Sequence, residues 1–180
     1  MNNKIDINRI VIRKAQKNDA EAILKSTIDV LNTSDYLIST IDEFKFTIHD
    51  EEVWIENFEK DKLDCLFVVE FDSVIIGNLS FITSKQRRVS HVGELSMAII
   101  DKYRNIGIGT KLLNYFFEYI KIQKFNFIKI NLSVIEDNIN AIALYKKFNF
   151  ETEGCLKKSV IIDKDYKNLL IMSKTISNQK

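Results

Sequence analysis

The sequence predicts an α/β domain built on one mixed sheet, and three observations predict it. First, a β-rich apolar run, Leu95 to Ile100, passes through Arg104-Asn105-Ile106-Gly107-Ile108-Gly109-Thr110 into a strongly helical run, Lys111 to Lys121. Second, the alternating run Phe127-Ile128-Lys129-Ile130-Asn131-Leu132-Ser133-Val134 leads into another helical pattern that starts near Asn138. Third, β-rich runs bounded by turn residues flank both passages, as expected of antiparallel strands joined by hairpins. The chain has 180 residues, 46% of them apolar and 28% charged, enough for one substantial core. No compositional break divides it, so residues 1–180 read as one domain.

In chain order, Arg9 to Lys14 alternates as a short first strand. Asn18 or Asp19 then caps an amphipathic helix with Ala22, Ile23, Ile28, Val30 and Leu31 available for burial, fading near Asn32 to Ser34. Asp50 is placed to cap a second helix containing Val53, Trp54, Ile55 and Phe58, with Glu51 and Glu52 in its first turn. Cys65 to Phe71 and Val74 to Phe81 read as strands around an Asp72-Ser73 turn. A charged hairpin at Lys85 to Arg88 and a strand from His91 to Ile100 complete an antiparallel meander. After the glycine turn come a helix to about Lys124, a strand to about Ile135 and a helix from Asn138 to Phe148. Strands Glu151 to Ile162 and Lys167 to Thr175, around Asp163-Lys164-Asp165, end the chain.

The glycine turn carries the first functional signal. Gly107 and Gly109 let the backbone turn tightly and approach a ligand with no Cβ in the way, so that successive N–H groups can face one concavity. The following helix adds unpaired donors and its positive end. A P-loop is excluded, because Gly109 is followed by Thr110 and Lys111 in the wrong order. A dinucleotide fingerprint is excluded because its third glycine is Leu112 here. What remains is R-x-x-G-x-G, which a tight turn that binds nothing would also satisfy.

The second motif is Asn138-Ile139-Asn140-Ala141-Ile142-Ala143-Leu144-Tyr145-Lys146-Lys147-Phe148-Asn149-Phe150. Together the two resemble the acetyl-CoA-binding segments of the GNAT superfamily of N-acetyltransferases: R/Q-x-x-G-x-G/A after the fourth strand, then N-x-x-A-x-x-x-Y-x-x-x-G-F around the next helix. The match covers residues 88 to 154. Asn149 stands where the family usually has glycine, and asparagine is the next most tolerant of positive φ, so a left-handed helix cap survives.

The resemblance implies the order β-α-α-β-β-β-α-β-α-β-β, with the fourth and fifth strands splayed so that Met97, Ala98 and Ile99 bond a pantetheine arm as an added strand would. It implies acetyl-CoA as cosubstrate, with its pyrophosphate on Arg104 and the backbone of Asn105, Ile106, Gly107, Ile108, Gly109 and Thr110. Asn138 and Ala141 lie in the second binding segment. A plain N-cap also explains Asn138. The resemblance sets Lys146 and Lys147 near the adenosine phosphate, and a solvated helix face explains them as well.

Acetyl transfer to an amine needs both reactants held, a neutral amine and a managed leaving thiolate. An alkyl amine of pKa ~10.4 is neutral in about one molecule in two thousand at pH 7, a cost of roughly 4 to 5 kcal/mol. Tyr145 matches the family tyrosine that protonates the thiolate; alone it reads as a helix aromatic near Phe148. Glu94 is the candidate base, directly or through water. Its parity sets it with Ser96 and Ala98, opposite Leu95 and Met97, and a solvated strand glutamate explains it equally. His91 has a suitable pKa but stands at a strand start.

The expected activity is therefore acetyl transfer from acetyl-CoA to a primary amine of a small molecule or a peptide N-terminus, by direct attack in a ternary complex. A non-catalytic acyl-CoA-binding module is the alternative. In this fold the acceptor is usually shaped by residues 30 to 60 and 155 to 168. There Asp35, Asp42, Glu43, Glu51 and Glu52 suit a cationic amine, and solvated helix charge explains the same residues. A formal charge of +1 with interspersed signs argues against nucleic-acid or membrane-surface partners. With no apolar leader or membrane-length stretch, a cytoplasmic location is expected. Cys65 and Cys155, without a CxxC pair or histidine neighbours, read as buried free thiols, and no metal is expected. The Asn, Ile and Lys bias suits an AT-rich bacterial genome, and a homodimer through the last hairpin is an open expectation.

Overall fold

The computed structural model describes residues 5–123 and 128–176. Seven strands form one sheet in the order β1-β2-β3-β4-β5-β7-β6. They are β1 Ile10–Lys14, β2 Cys65–Phe71, β3 Val74–Thr83, β4 Val92–Ile99, β5 Lys129–Ile135, β6 Glu151–Ile162 and β7 Asp165–Thr175. The helices are α1 Ala20–Thr33, α2 Ile48–Lys60, α3 Ile108–Ile122 and α4 Ile139–Lys147. All neighbouring strands are antiparallel except β4 and β5. The expected element order therefore holds across the described residues. The expected start of the β5 run at Phe127 and the expected end of α3 at Lys124 fall outside them.

Alternation along β2 explains how the sheet is filled on both faces. Cys65, Phe67 and Val69 belong to the larger core with Leu112, Leu113 and Phe116 of α3, whereas Leu66 and Val68 belong to a second cluster with Ile23 of α1 and Ile55 of α2. Phe67, Phe81, Phe116 and Phe150 are fully buried, each worth roughly 1.5–3 kcal/mol of apolar transfer. Phe81 packs on Phe116 with ring centroids 5.3 Å apart, fixing α3 against the meander.

Several local expectations are corrected. α2 is capped by Thr47, whose hydroxyl accepts from the Asp50 backbone N–H, while the Asp50 carboxylate accepts from the Thr47 N–H; Asp50 is thus the third helical residue of a capping box. α1 does follow Asp19, but that carboxylate makes no cap bond to α1. It accepts from both guanidinium arms of Arg13, at 2.7 and 2.9 Å, and from the Gln16 N–H. In α1 Ala22 is exposed, and the buried stripe is Ala20, Ile23, Ser26 and Val30. α3 begins at Ile108 rather than Lys111, β4 at Val92 rather than His91, and β7 at Asp165 rather than Lys167. Cys65 is buried, but Cys155 is exposed, because β6 is a sheet edge covered on few of its positions.

The turns obey the expected chemistry. Asp72 and Ser73 sit at φ 51° and 64°, as a two-residue hairpin with the sheet's twist requires. Asn149 adopts φ 61° after α4, so the left-handed cap expected of asparagine is present. Lys174 reinforces that end by donating to the Phe148 carbonyl at 2.9 Å.

Candidate active site

The site arises where two parallel strands part. β4 and β5 pair only at Val92–Lys129, Gly93–Ile130 and Glu94–Asn131, whereas β4 stays paired with β3 up to Ile99 and β5 with β7 along its full length. From Leu95 to Ile99 the β5-facing edge of β4 therefore has no strand partner. An extended ligand with amide groups can bond such an edge as a strand would.

α3 starts at the wide end of this V. Gly107 caps it at φ 94°, a conformation that side chains disfavour, and Asn105 just before is also left-handed at φ 60°. The amides of Ile108, Gly109 and Thr110 lie in the first turn, where an α-helix offers no internal acceptor. Lys111 is the first to bond back, to the Gly107 carbonyl at 3.1 Å. Gly109 permits close packing: a Cβ there would sit 2.8 Å from Leu144 Cδ2 and 3.6 Å from Met97 Cε. The concavity therefore lies between α3, α4 and the open edge of β4.

One cavity joins these parts. It is lined by Leu95, Ser96, Met97, Ala98 and Ile99 of β4, by Arg104, Asn105 and Gly109 of the turn, and by Asn138, Ala141 and Tyr145 of the second motif. Val30, Ser34, Tyr36 and Leu37 wall it from the α1 end. Ile106, Gly107, Ile108 and Thr110 do not line it; Ile106 and Gly107 are exposed, and Ile108 is buried in the core.

Arg104 is held inward. Its Nε donates to the Ile99 carbonyl at 2.7 Å, and Nη1 lies 3.3 Å from Ser34 Oγ and 3.4 Å from Asp101 Oδ1. Nη2 has no partner among the described residues. Asn138 caps α4 by accepting from the Ala141 N–H at 3.2 Å.

The two catalytic candidates occupy different spaces. Tyr145 is 6% exposed, packs edge-on against Phe150 at 5.7 Å and lines the cavity; burial pushes its hydroxyl up to about 12. Glu94 does not line that cavity. It stands on the face of β4 that carries Ser96, opposite Leu95 and Met97, in a groove with Ile82, Val89, Val92, Lys129 and Asn131, and accepts from Asn131 Nδ2 at 3.0 Å. His91 is exposed at the end of the same hairpin.

Some contributors escaped the sequence reading. Ser96 and Ser133 line the cavity, and their alternation with buried neighbours on β4 and β5 was the available signal. The pairing of Asn131 with Glu94 had none, since it depends on the parallel register. Among the acidic residues of the first region, Glu51 is buried at 5% exposure and so is not a solvated charge. Among the described residues no group of three or more His, Cys, Asp or Glu is placed to hold a metal, and no helix is long and apolar enough to cross a membrane.

An opened parallel strand pair with a glycine-capped helix at its wide end defines a class: α/β domains that seat an extended, phosphate-bearing ligand along a strand edge. Comparison with known proteins gives the family. The profile of the acetyltransferase (GNAT) family matches residues 31–150, and the chain belongs to that family. It is similar to the L-amino acid N-acetyltransferase AaaT of Escherichia coli, 25% identical over 93% of this chain and 99% of that protein. Its fold resembles an acetyltransferase of the GNAT family from Streptococcus pneumoniae, with a TM-score of 0.87 and 23% identity over 93% of this chain and 99% of that one. It also resembles yncA of Salmonella typhimurium, solved with its cofactor acetyl-CoA: TM-score 0.82, 17% identity, 96% of each chain.

Proposed function

We propose that residues 1–180 act as one cytoplasmic N-acetyltransferase domain that moves the acetyl group of acetyl-CoA onto a primary amine of a small molecule or a peptide N-terminus, by direct attack in a ternary complex. The observation that carries this reading is the parting of β4 and β5 after Glu94–Asn131, beside a cavity that also holds Tyr145 and the glycine turn. AaaT of Escherichia coli, named for acetylating L-amino acids, favours a small acceptor.

The residues present fit acetyl-CoA. The unpaired edge at Met97, Ala98 and Ile99 suits the pantetheine amides, and the α3 amides with Arg104 Nη2 suit a pyrophosphate. When bound, acetyl-CoA supplies a thioester acyl group and a thiol as leaving group.

Tyr145 serves as the acid. With its hydroxyl pushed up to about 12, the phenol keeps its proton through the physiological range and donates it toward the departing sulfur, and the second proton that the amine nitrogen sheds as the amide forms restores the phenol. Glu94 serves as the base: it relieves the arriving ammonium of its proton, directly or through water, and passes that proton to solvent from its exposed face. A direct transfer is supported by the cysteines. Cys65 is buried with its thiol pushed up to about 12, and Cys155 is exposed on β6, away from the cavity lining.

Free-thiol release from acetyl-CoA, followed against amino acids, amino-acid amides, polyamines and short peptides, tests the proposal. Amine-dependent release with initial rates that intersect in double-reciprocal plots is expected. Binding without any turnover would favour an acyl-CoA-binding module instead, and thiol release that needs no amine, or parallel double-reciprocal lines, would contradict direct attack in a ternary complex.

A further inference from the structure

The groove around Glu94 shares no lining residue with the cavity formed by β4, the glycine turn and α4. β4 and β5 alternate, so Glu94 and Ser96 share one face of β4, and Asn131 and Ser133 share the same face of β5. Glu94 and Asn131 line the groove, whereas Ser96 and Ser133 line the cofactor cavity. The two spaces therefore meet at the closing point of the V, one pleat repeat apart on both strands, on the face of the sheet opposite α3.

The groove's chemistry is mixed. Ile82 lies directly across from Glu94 in the β3–β4 register, and Ile82 and Val89 are 42% and 40% exposed, an apolar wall open to solvent. Lys129 on the other side is neutralised by Glu153 at 2.6 Å. The Glu94 carboxylate has only the neutral Asn131 amide beside it, and no basic side chain among the described residues pairs with it. A cation arriving here meets an uncompensated carboxylate next to a hydrocarbon surface.

We propose that this groove is the acceptor subsite, and that the acceptor is a cationic primary amine borne on a compact apolar group, its nitrogen set at the Glu94–Ser96 junction and its apolar group against Ile82, Val89 and Val92. The proposal rests on the acetyltransferase reading above. It moves the acceptor away from the α1–α2 segment and the last hairpin, to the β3–β4 hairpin. Specificity then resides in residues 82–92: apolar replacements there retune which side chain is accepted, and a charge there blocks it.

The test uses the full chain with 13C-labelled Ile, Leu and Val methyls, first titrated with coenzyme A and then, in its presence, with L-leucinamide up to its solubility. Coenzyme A is expected to shift Ile99 and Leu144; its failure to do so would count against the cofactor reading, separately from the groove. Leucinamide is expected to shift Ile82, Val89 and Val92 most. Largest shifts at Val30 and Leu37, or no shifts, would overturn the groove assignment. Ile82→Arg, with Val89→Arg as a second variant should the first unfold, is expected to weaken leucinamide binding at least tenfold and leave coenzyme A binding unchanged; unaltered leucinamide affinity would also overturn it.

Discussion

Glu51 offers a quantitative test of how the first-region helices are packed. It is the fourth residue of α2, 5% exposed, its carboxylate has no hydrogen-bond partner or cation among the described residues, and burial raises that carboxyl from 4.5 to about 7. In the unfolded chain it ionises near the ordinary value, so between 4.5 and 7 the folded state binds the extra proton. Its contribution is thus fully present below pH 4.5 and is lost as pH rises through 7. The difference corresponds to roughly 3 kcal/mol, an upper figure because water entry and side-chain relaxation relieve part of it. Glu51→Gln keeps the shape and removes the charge. Urea unfolding at pH 5 and pH 8 should give a variant close to wild type at pH 5 and about 1–3 kcal/mol more stable at pH 8. Parallel stability profiles for the two proteins across that interval would refute a buried, uncompensated carboxylate.

Tyr145→Phe should leave acetyl-CoA affinity and melting temperature near wild type, since the ring still packs on Phe150, while kcat for thiol release falls on the order of a hundredfold; an unchanged kcat would remove Tyr145 as the acid. Gly93→Ala should cost about 1–3 kcal/mol or more in denaturant unfolding, because a Cβ there would lie 2.1 Å from the fully buried Phe81 ring. Gly109→Ala should cost less, as its nearest neighbour is the flexible end of Leu144 at 2.8 Å. Thr47→Ala should lower stability by about 1 kcal/mol through loss of the α2 capping box, measured the same way; no loss would mean that the cap contributes nothing.

The parts of the fold that were legible in the sequence are those written in local chemistry. Asp72-Ser73 announces its hairpin, and Asn149 its left-handed cap, because few residues accept those backbone angles. The Cys65–Phe71 and Glu151–Ile162 strands show their full extents through composition and flanking turns. Helix starts were less legible. Thr47 and Asp50 both qualify as caps, and only the position of the first turn decides between them. Asp19 looks like a cap but is recruited by Arg13 across a longer range, and Cys155 looks buried until β6 proves to be the edge strand. At the site, the glycine turn and the Asn138–Tyr145 motif were readable together. The separation of Glu94 from the Tyr145 cavity was not, because it depends on where two parallel strands stop pairing.

The most direct measurement is calorimetric titration of the folded protein with acetyl-CoA, beside Arg104→Glu, which places a carboxylate where the turn should receive phosphate. A single site of micromolar affinity, weakened at least tenfold in the variant, is the predicted result. An absence of binding by well-folded wild-type protein would contradict the seat assigned to β4, the glycine turn and α3, and with it the proposed transfer.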